Sequence, residues 1–485
     1  MGVPQSTLFL REIELAQNYT LSINGQNVAG DAGTFPIHNP ATQALLGHAP
    51  RSTAAQVDSA VAVARAAQPS WAALPDDERK AIIDRVADIL TANTQYLAEW
   101  ITREQGKPLA GPGSLFEMQA CVGWTLASTM LDLPVEVVFE DETRRDEVHR
   151  KPIGVVAAIA PWNWPLMIAI WQFIPALRAG NTVVLKPSEY TPLGTLEMVR
   201  LINQVLPPGV LNTVSGSGDV GDALVRHPDV RKVMFTGSGA TGRKIIEASA
   251  GNMARLTLEL GGNDAAIVLP DADPQAIAQG LFWGAFINMG QTCACAKRLY
   301  VHQSQYEAVI AALKAVAEAM PMGDGMQEGI MLGPVQNQMQ FDKVCTLVEA
   351  ARRDGARIVT GGQIKPDSLF FPVTLVADVK DGNPLVDEEQ FGPVLPIIAY
   401  SDINEAIRNA NRLDAALGAS VWSSNVQEAQ RVAMQLEAGT VWINQHGAVH
   451  PMVPFGGVKG SGYGLEFGTE GLKAVTVAQV ISIKK

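Results

Sequence analysis

Four cysteines, Cys121, Cys293, Cys295 and Cys345, are the soft nucleophiles of this 485-residue chain. Cys293 has the setting of a reactive one. It lies in FINMGQTCACAK (286–297), a turn of small residues that follows the apolar run GLFWGAFI (280–287). A thiolate is a strong nucleophile whose reactivity is set by its surroundings, and this layout places one sulfur at the end of a rigid element. A lone cysteine is more commonly a small packing residue, so the reading depends on groups elsewhere in the chain. Cys295, two residues on, is either a small neighbour or a second thiol able to form a disulfide and switch Cys293 off.

The next candidates are amides, acids and glycines. A GxGxxG run spans Gly237-Ser238-Gly239-Ala240-Thr241-Gly242, after a strand-like stretch and before a helical one. Free N–H groups and the positive end of a helix dipole suit a pyrophosphate there. An acid about 20 residues later commonly holds the ribose, and Glu259 stands near that distance. A buried carboxylate is equally what activation of a water requires. Asn163, just before Pro165, is either a helix cap or an amide that binds an oxyanion. Glu189 and Glu389, taken singly, read as solvated surface acids.

Elements able to hold these groups follow from the apolar patterning. From residue 153, apolar runs alternate with helical ones: VVAAIAP (155–161), TVVLKP (182–187), VLNTVSG (210–216) and KVMFTG (232–237). Helices are expected from Pro165 to Leu177, near Pro192, from Asp219 and from Ala240. Such continuous apolar strands predict a doubly wound parallel sheet. A second α/β unit is expected to start near Arg255, with helices at 274–289 and 304–319. Upstream, Asn24-Gly25 predicts a hairpin and three helices follow. The second opens on Asp76, Asp77 and Glu78, acids suited to a helix N-terminus, with an apolar face of Ile82, Val86, Ile89 and Leu90. The third stops at Gly106. Residues 134–156 read as a two-stranded polar ribbon and 473–485 as a terminal strand, both in need of a partner surface. Residues 1–20 read as a loose arm.

Composition narrows the class. The net charge of −12 disfavours nucleic acid and anionic membrane surfaces as partners. No apolar run reaches the roughly 18 residues of a membrane span, and the first residues lack the pattern of a signal peptide. Four cysteines in this length are no disulfide framework, and no HExxH or paired CxxC supports a metal site. A reducing cytoplasm is the expected setting.

Seven blocks together carry a resemblance to the aldehyde dehydrogenase superfamily over nearly the whole chain. They are PWNWPL (161–166), KPSE (186–189), FTGSGATG (235–242), LELGGND (258–264), GQTCACA (290–296), EEQFGPVLP (388–396) and PFGGVKGSG (454–462). The resemblance implies an α/β fold with a Rossmann-type NAD(P)-binding domain (1–133 and 151–254). It also implies a catalytic α/β domain (255–440) and an oligomerisation ribbon and tail (134–150 and 470–485). The expected assembly is a homodimer or homotetramer, with the tail near a neighbour's ribbon.

Carried onto this chain, Cys293 resembles the family's nucleophile. Asn163 resembles the amide that, with the Cys293 backbone N–H, binds the oxyanion. Glu259 resembles the general base for the hydrolytic water. Its presence favours hydrolysis over transfer to coenzyme A. Lys186 and Glu189 resemble the pair on the adenosine ribose, which frees Glu259 for chemistry. Ile159, Trp162, Gly237, Ser238, Gly242 and Leu260 fall on the cofactor path, and Glu389 and Phe391 near the nicotinamide ribose and ring. NAD is the expected cofactor, because a carboxylate at Glu189 repels a 2′-phosphate, with NADP possible through Lys186. Trp164, Met167, Trp171, Thr292 and Ala294 are expected to line the substrate tunnel, with 443–453 at its mouth. Neither stretch offers an arginine to clamp a carboxylate. An apolar aliphatic or aromatic aldehyde is therefore expected ahead of a semialdehyde acid, and betaine aldehyde remains an alternative through aromatic walls. Rival readings are a cysteine hydrolase or thioesterase, and a non-catalytic scaffold.

Overall fold

The computed structural model describes residues 19–364 and 367–485; most of the expected N-terminal arm, residues 1–18, lies outside them. Two sheets organise the chain. The first runs in the order Gly462–Tyr463, Arg255–Glu259, Val230–Thr236, Val155–Ile159, Thr182–Lys186, Leu211–Thr213. Its five main strands are parallel, and Gly462–Tyr463 adds an antiparallel edge. Every residue of VVAAI and TVVLK is buried, because helices cover both faces of the sheet. Strand order reverses between Val155–Ile159 and Val230–Thr236, the point at which such sheets open a ligand crevice beyond their carboxyl ends.

Register brings the expected residues to that edge. Ile159 pairs with Lys186 and Phe235, and Thr236 pairs with Glu259. The helices behind it start where expected, at Pro165–Arg178, Leu193–Ile202, Gly218–Arg226 and Gly239–Ser249.

The second sheet has seven strands in the order Arg357–Thr360, Thr374–Ala377, Val394–Tyr400, Ala296–His302, Asp264–Val268, Gly418–Trp422, Thr440–Ile443. It is parallel except at its first strand. Sheet membership moves the boundary expected at Arg255. Arg255–Glu259 is the last parallel strand of the first sheet, and the second begins at Asp264. Glu259 thus ends a strand of the first sheet, while Cys293 lies in the turn that leads into the Ala296–His302 strand of the second.

Three local expectations are corrected. The Asp76–Ala92 helix buries Ile83, Val86, Ala87 and Leu90, leaving Ile82 and Ile89 only partly covered. The helix expected over 274–289 ends at Phe286 and passes into a 3-10 turn, Ile287–Gly290, with Asn288 (φ 48°) and Met289 (φ 59°) left-handed. The tail, Thr476–Lys484, pairs with Arg144–Pro152 of its own chain through nine residue pairs, and Glu136–Glu140 completes a three-stranded sheet. The tail strand thus has a hydrogen-bonding partner within its own chain.

Candidate active site

Cys293 sits between the 3-10 turn and the Ala296–His302 strand, at the seam of the two sheets. The left-handed Asn288 is held by its own side chain, whose Nδ2 donates to the Asn163 carbonyl at 2.8 Å. Asn163 in turn donates Nδ2 to the Gln291 carbonyl at 2.9 Å, and is buried. One N–H of that amide is spent on the catalytic turn and the other is left for a ligand. Asn163 makes no capping bond to the Pro165 helix.

That cap comes from an acid which sequence reasoning missed. Glu117 Oε1 accepts from the Leu166 and Met167 backbone N–H groups at 3.0 and 3.1 Å. Its Oε2 accepts from Lys107 Nζ at 2.6 Å, and neither side chain is exposed. Lys107 also donates to the Asn163 carbonyl at 2.8 Å and lies over the Trp164 ring at 3.5 Å. Burial pulls the Lys107 ammonium down to about 8, against the attraction of Glu117. Nothing in the local sequence marks either residue, because the pair forms only when the Ser114–Thr129 helix packs on the Pro165–Arg178 helix.

Burial dominates the electrostatics of the seam. It pushes the Cys293 thiol up to about 12, opposed by Lys297 and reinforced by Glu259, Asp264 and Glu389. The resting sulfur is a thiol, so it must lose a proton before attack. Glu259 is buried with neither carboxyl oxygen hydrogen-bonded among the described residues, and burial, then Glu466, holds its pKa well above the ordinary carboxylate range. Glu466 is raised by the same burial, with Lys232 opposing. This second acid was also missed. It reaches the site from a distant loop, through a two-way backbone bridge with Phe455. Cys295 is buried, its thiol is pushed up to about 11, and both cysteines are free.

The family model for the aldehyde dehydrogenase family matches residues 28–481. The chain belongs to the aldehyde dehydrogenase family. A phenylacetaldehyde dehydrogenase of Pseudomonas fluorescens is 40% identical over 482 residues, covering 96% of each chain. A solved aldehyde dehydrogenase from Bacillus cereus in complex with NAD+ is 34% identical, covers 96% of this chain and 97% of its own, and superposes with a TM-score of 0.93. An Escherichia coli structure described as an NADP dependent enzyme is 33% identical over 96% and 98% of the two chains, with a TM-score of 0.94. The protein is an NAD(P)-dependent aldehyde dehydrogenase. These relationships set aside the thioesterase and scaffold readings.

The crevice of this aldehyde dehydrogenase fits a dinucleotide. Ser238 caps the Gly239–Ser249 helix by accepting from Thr241 N–H, which leaves earlier N–H groups free at the helix N-terminus. Gly242 lets Leu260 lie close, since a Cβ there would come within 2.8 Å of Leu260 Cδ2. Lys186 Nζ, buried, meets only the Pro187 carbonyl at 3.0 Å and Glu189 at 3.9 Å, so it retains donors for ribose hydroxyls. Glu189 is exposed at the rim. On the opposite wall Trp162 meets Phe391 edge-on at 5.3 Å. Lys297 Nζ lies 5.3 Å from the centre of the Phe391 ring and 3.7 Å from Glu389. Glu389 accepts from Gly262 N–H at 3.2 Å, and only a glycine at 261 admits it, because a Cβ there would fall 2.2 Å from its Oε2.

A small aromatic cavity of about 30 Å³ lies where the Ser114–Thr129 and Pro165–Arg178 helices meet Pro451 and Phe467. Trp124, Trp171, Leu131, Pro451 and Phe467 are among its walls, with Trp171 and Phe467 in edge contact at 4.7 Å. Trp171 is one of the five residues expected to line the substrate tunnel. Trp164 gives its indole N–H to Thr292 Oγ1 at 2.9 Å and its face to Lys107. It braces the catalytic turn from behind, and Met167 and Ala294 are buried in the surrounding core.

Proposed function

We propose that this enzyme oxidises apolar, preferably aromatic, aldehydes to carboxylic acids through a covalent adduct on Cys293. The observation that carries the substrate class is the cavity walled by Trp124, Trp171 and Phe467, with no arginine among its lining residues. Aromatic rings recognise an aryl group by edge and face contacts, and a carboxylated aldehyde would find no guanidinium. The relative named as a phenylacetaldehyde dehydrogenase supports the same class.

In the proposed sequence, the Cys293 sulfur adds to the aldehyde carbon once its proton has left. The Cys293 N–H and the remaining Asn163 N–H receive the developing alkoxide, in a buried setting where such donors act strongly. Lys186, Glu189, the Ser238 helix N-terminus and Glu389 would hold the dinucleotide, which when bound supplies the hydride acceptor. Collapse leaves a thioester on Cys293. Glu259, whose oxygens have no competing partner, takes a proton from the water that hydrolyses it. NAD is the favoured cofactor because the Glu189 carboxylate repels a 2′-phosphate.

The assembly is proposed as a homodimer or homotetramer in the cytoplasm. Val137, Phe139, Val480, Ile481 and Ile483 leave apolar surface exposed on the three-stranded sheet, and its outer strands keep open edges that a second copy would cover. Among the described residues no helix is long and apolar enough to cross a membrane. The test is reduction of NAD and NADP against short aliphatic, long aliphatic, aromatic, cationic and carboxylated aldehydes. Trp171→Ala should lower kcat/KM for phenylacetaldehyde by tenfold or more relative to acetaldehyde, about the worth of an aromatic contact plus its buried area. Preference of the native enzyme for a carboxylated aldehyde would reject the substrate reading.

A further inference from the structure

His446, one turn beyond the Thr440–Ile443 strand, takes no part in the proposed chemistry, yet its side chain is 1% exposed. It contacts each element that leads to Cys293. Its Nε2 faces Asp264 Oδ2 at 3.4 Å, and the Asp264 side chain is wholly buried at the head of the strand beside Ala296. Its Nδ1 lies 2.9 Å from Ser420 Oγ. Gly284, on the helix that runs into the catalytic turn, lies so close that a Cβ there would come within 2.8 Å of His446 Cβ. Trp442 packs on the ring at 5.1 Å.

Trp422 Nε1 donates to Ser420 Oγ at 2.9 Å, and the same hydroxyl meets His446 Nδ1, so Ser420 ties the ring to the Trp422 indole. On the other side of the ring, neither Nε2 nor Asp264 Oδ2 has a hydrogen-bond partner among the described residues, while Asp264 Oδ1 accepts from Gly418 N–H at 3.0 Å. A chain of contacts, Trp422 to Ser420 to His446 to Asp264, thus runs from the second sheet to the underside of the seam. A Cβ on Gly262 would come within 2.5 Å of Asp264 Oδ1 and 2.7 Å of the Cys293 carbonyl, so the carboxylate and the catalytic turn are separated by one glycine.

The residue after His446 makes the functional link. Gly447 has φ +71°, and a Cβ on it would lie 2.9 Å from the Ala294 carbonyl. The loop rooted by His446 therefore rests against the backbone next to the nucleophile, and four residues further on its Pro451 walls the aromatic cavity. We propose that His446, tied to Ser420 and packed against Gly284 and Trp442, is a positioning residue that holds the 443–453 loop against the Cys293–Ala294 backbone and so aligns both the nucleophile and the cavity wall. This rests on Cys293 as the nucleophile.

The test compares His446→Leu with His446→Gln, which keeps a polar group able to bond to Ser420. Readouts are kcat, KM for aldehyde and for NAD, and the second-order rate of Cys293 alkylation by iodoacetamide. His446→Leu is expected to lower kcat and the alkylation rate by tenfold or more, since misplacement near 1 Å carries costs up to about 10². KM for NAD, bound on the other sheet, should stay within twofold. His446→Gln should recover most of the loss.

Gly284→Ala covers the case in which His446→Leu does not fold. Replacing a helical glycine by alanine ordinarily favours the helix, but here the new Cβ would crowd His446 Cβ and should slow alkylation at least threefold, at some cost in melting temperature. Wild-type alkylation and turnover in His446→Leu, equal failure of His446→Gln and His446→Leu, or a wild-type rate in Gly284→Ala would each overturn the proposal. Cys293→Ala run alongside separates the two readings: turnover surviving that change removes the nucleophile assignment itself.

Discussion

Among the described residues, Lys107→Met breaks the one lysine–carboxylate pair in which neither side chain has any exposure, and the structure sets the expected size of the effect. Removing one partner of such a pair leaves the other uncompensated, typically at about 3–5 kcal/mol. Glu117 would keep two backbone N–H donors at 3.0 and 3.1 Å, which places the expected loss near the lower bound, about 3 kcal/mol. Glu117→Gln should cost less, because burial already pulls the Lys107 ammonium down to about 8; the lysine can release its proton and still donate to Asn163. The kinetic consequence runs through that donation. Losing an oxyanion donor outright costs on the order of 10²–10³ in kcat, and an Asn163 freed from Lys107 should lose part of that. Urea unfolding gives the first quantity, and kcat with KM for NAD gives the second. We expect a lower urea midpoint for Lys107→Met, kcat down at least tenfold, and KM for NAD unchanged. The double variant Lys107→Met/Asn163→Ala should be no slower than Asn163→Ala alone, since the two act through one group. A wild-type urea midpoint, or kinetic losses that multiply in the double variant, would refute the reasoning.

Glu259→Gln should leave acylation intact and block hydrolysis, giving a burst of about one NADH per site followed by a turnover rate lower by 10² or more, read by stopped-flow absorbance. The hydrolytic step of the native enzyme should accelerate as pH rises above the ordinary carboxylate range, because only an ionised Glu259 could act as base and burial raises its pKa. Glu466→Gln removes a negative neighbour and should move that limb to lower pH in a pre-steady-state profile. Glu189→Gln removes the charge at the ribose rim and should raise kcat/KM for NADP relative to NAD by about tenfold, the worth of roughly 1.4 kcal/mol; an unchanged ratio would assign cofactor choice to other residues.

How much of this was legible in the sequence differs by element. The parallel strands of the first sheet were readable because a strand buried on both faces has to be apolar throughout, as VVAAI and TVVLK are. The glycine loop was readable because it ends one of those strands. The roles expected of Lys186, Glu259, Cys293 and Asn163 came from the resemblance of their sequence blocks to the aldehyde dehydrogenase family. The end of the helix at Phe286 was missed because the left-handed Asn288 and Met289 are held by Asn163, 125 residues away, and not by local propensity.

What the sequence determined by itself was chemistry and local order: which groups are nucleophile, acid and amide, and which runs become strands and helices. Only the tertiary structure decided their electrical state and support. The acidities of Cys293 and Glu259 are set first by burial at the seam of two sheets, a property of the packed whole. The Lys107–Glu117 pair meets Asn163 and Leu166, Glu259 feels Glu466, and His446 faces Asp264 because helices and loops remote in sequence pack together. Trp164, placed by pattern on the tunnel wall, turns its face to Lys107 and its N–H to Thr292. A buried charge or donor must find its partner in three dimensions, and a linear pattern carries no record of which one it finds.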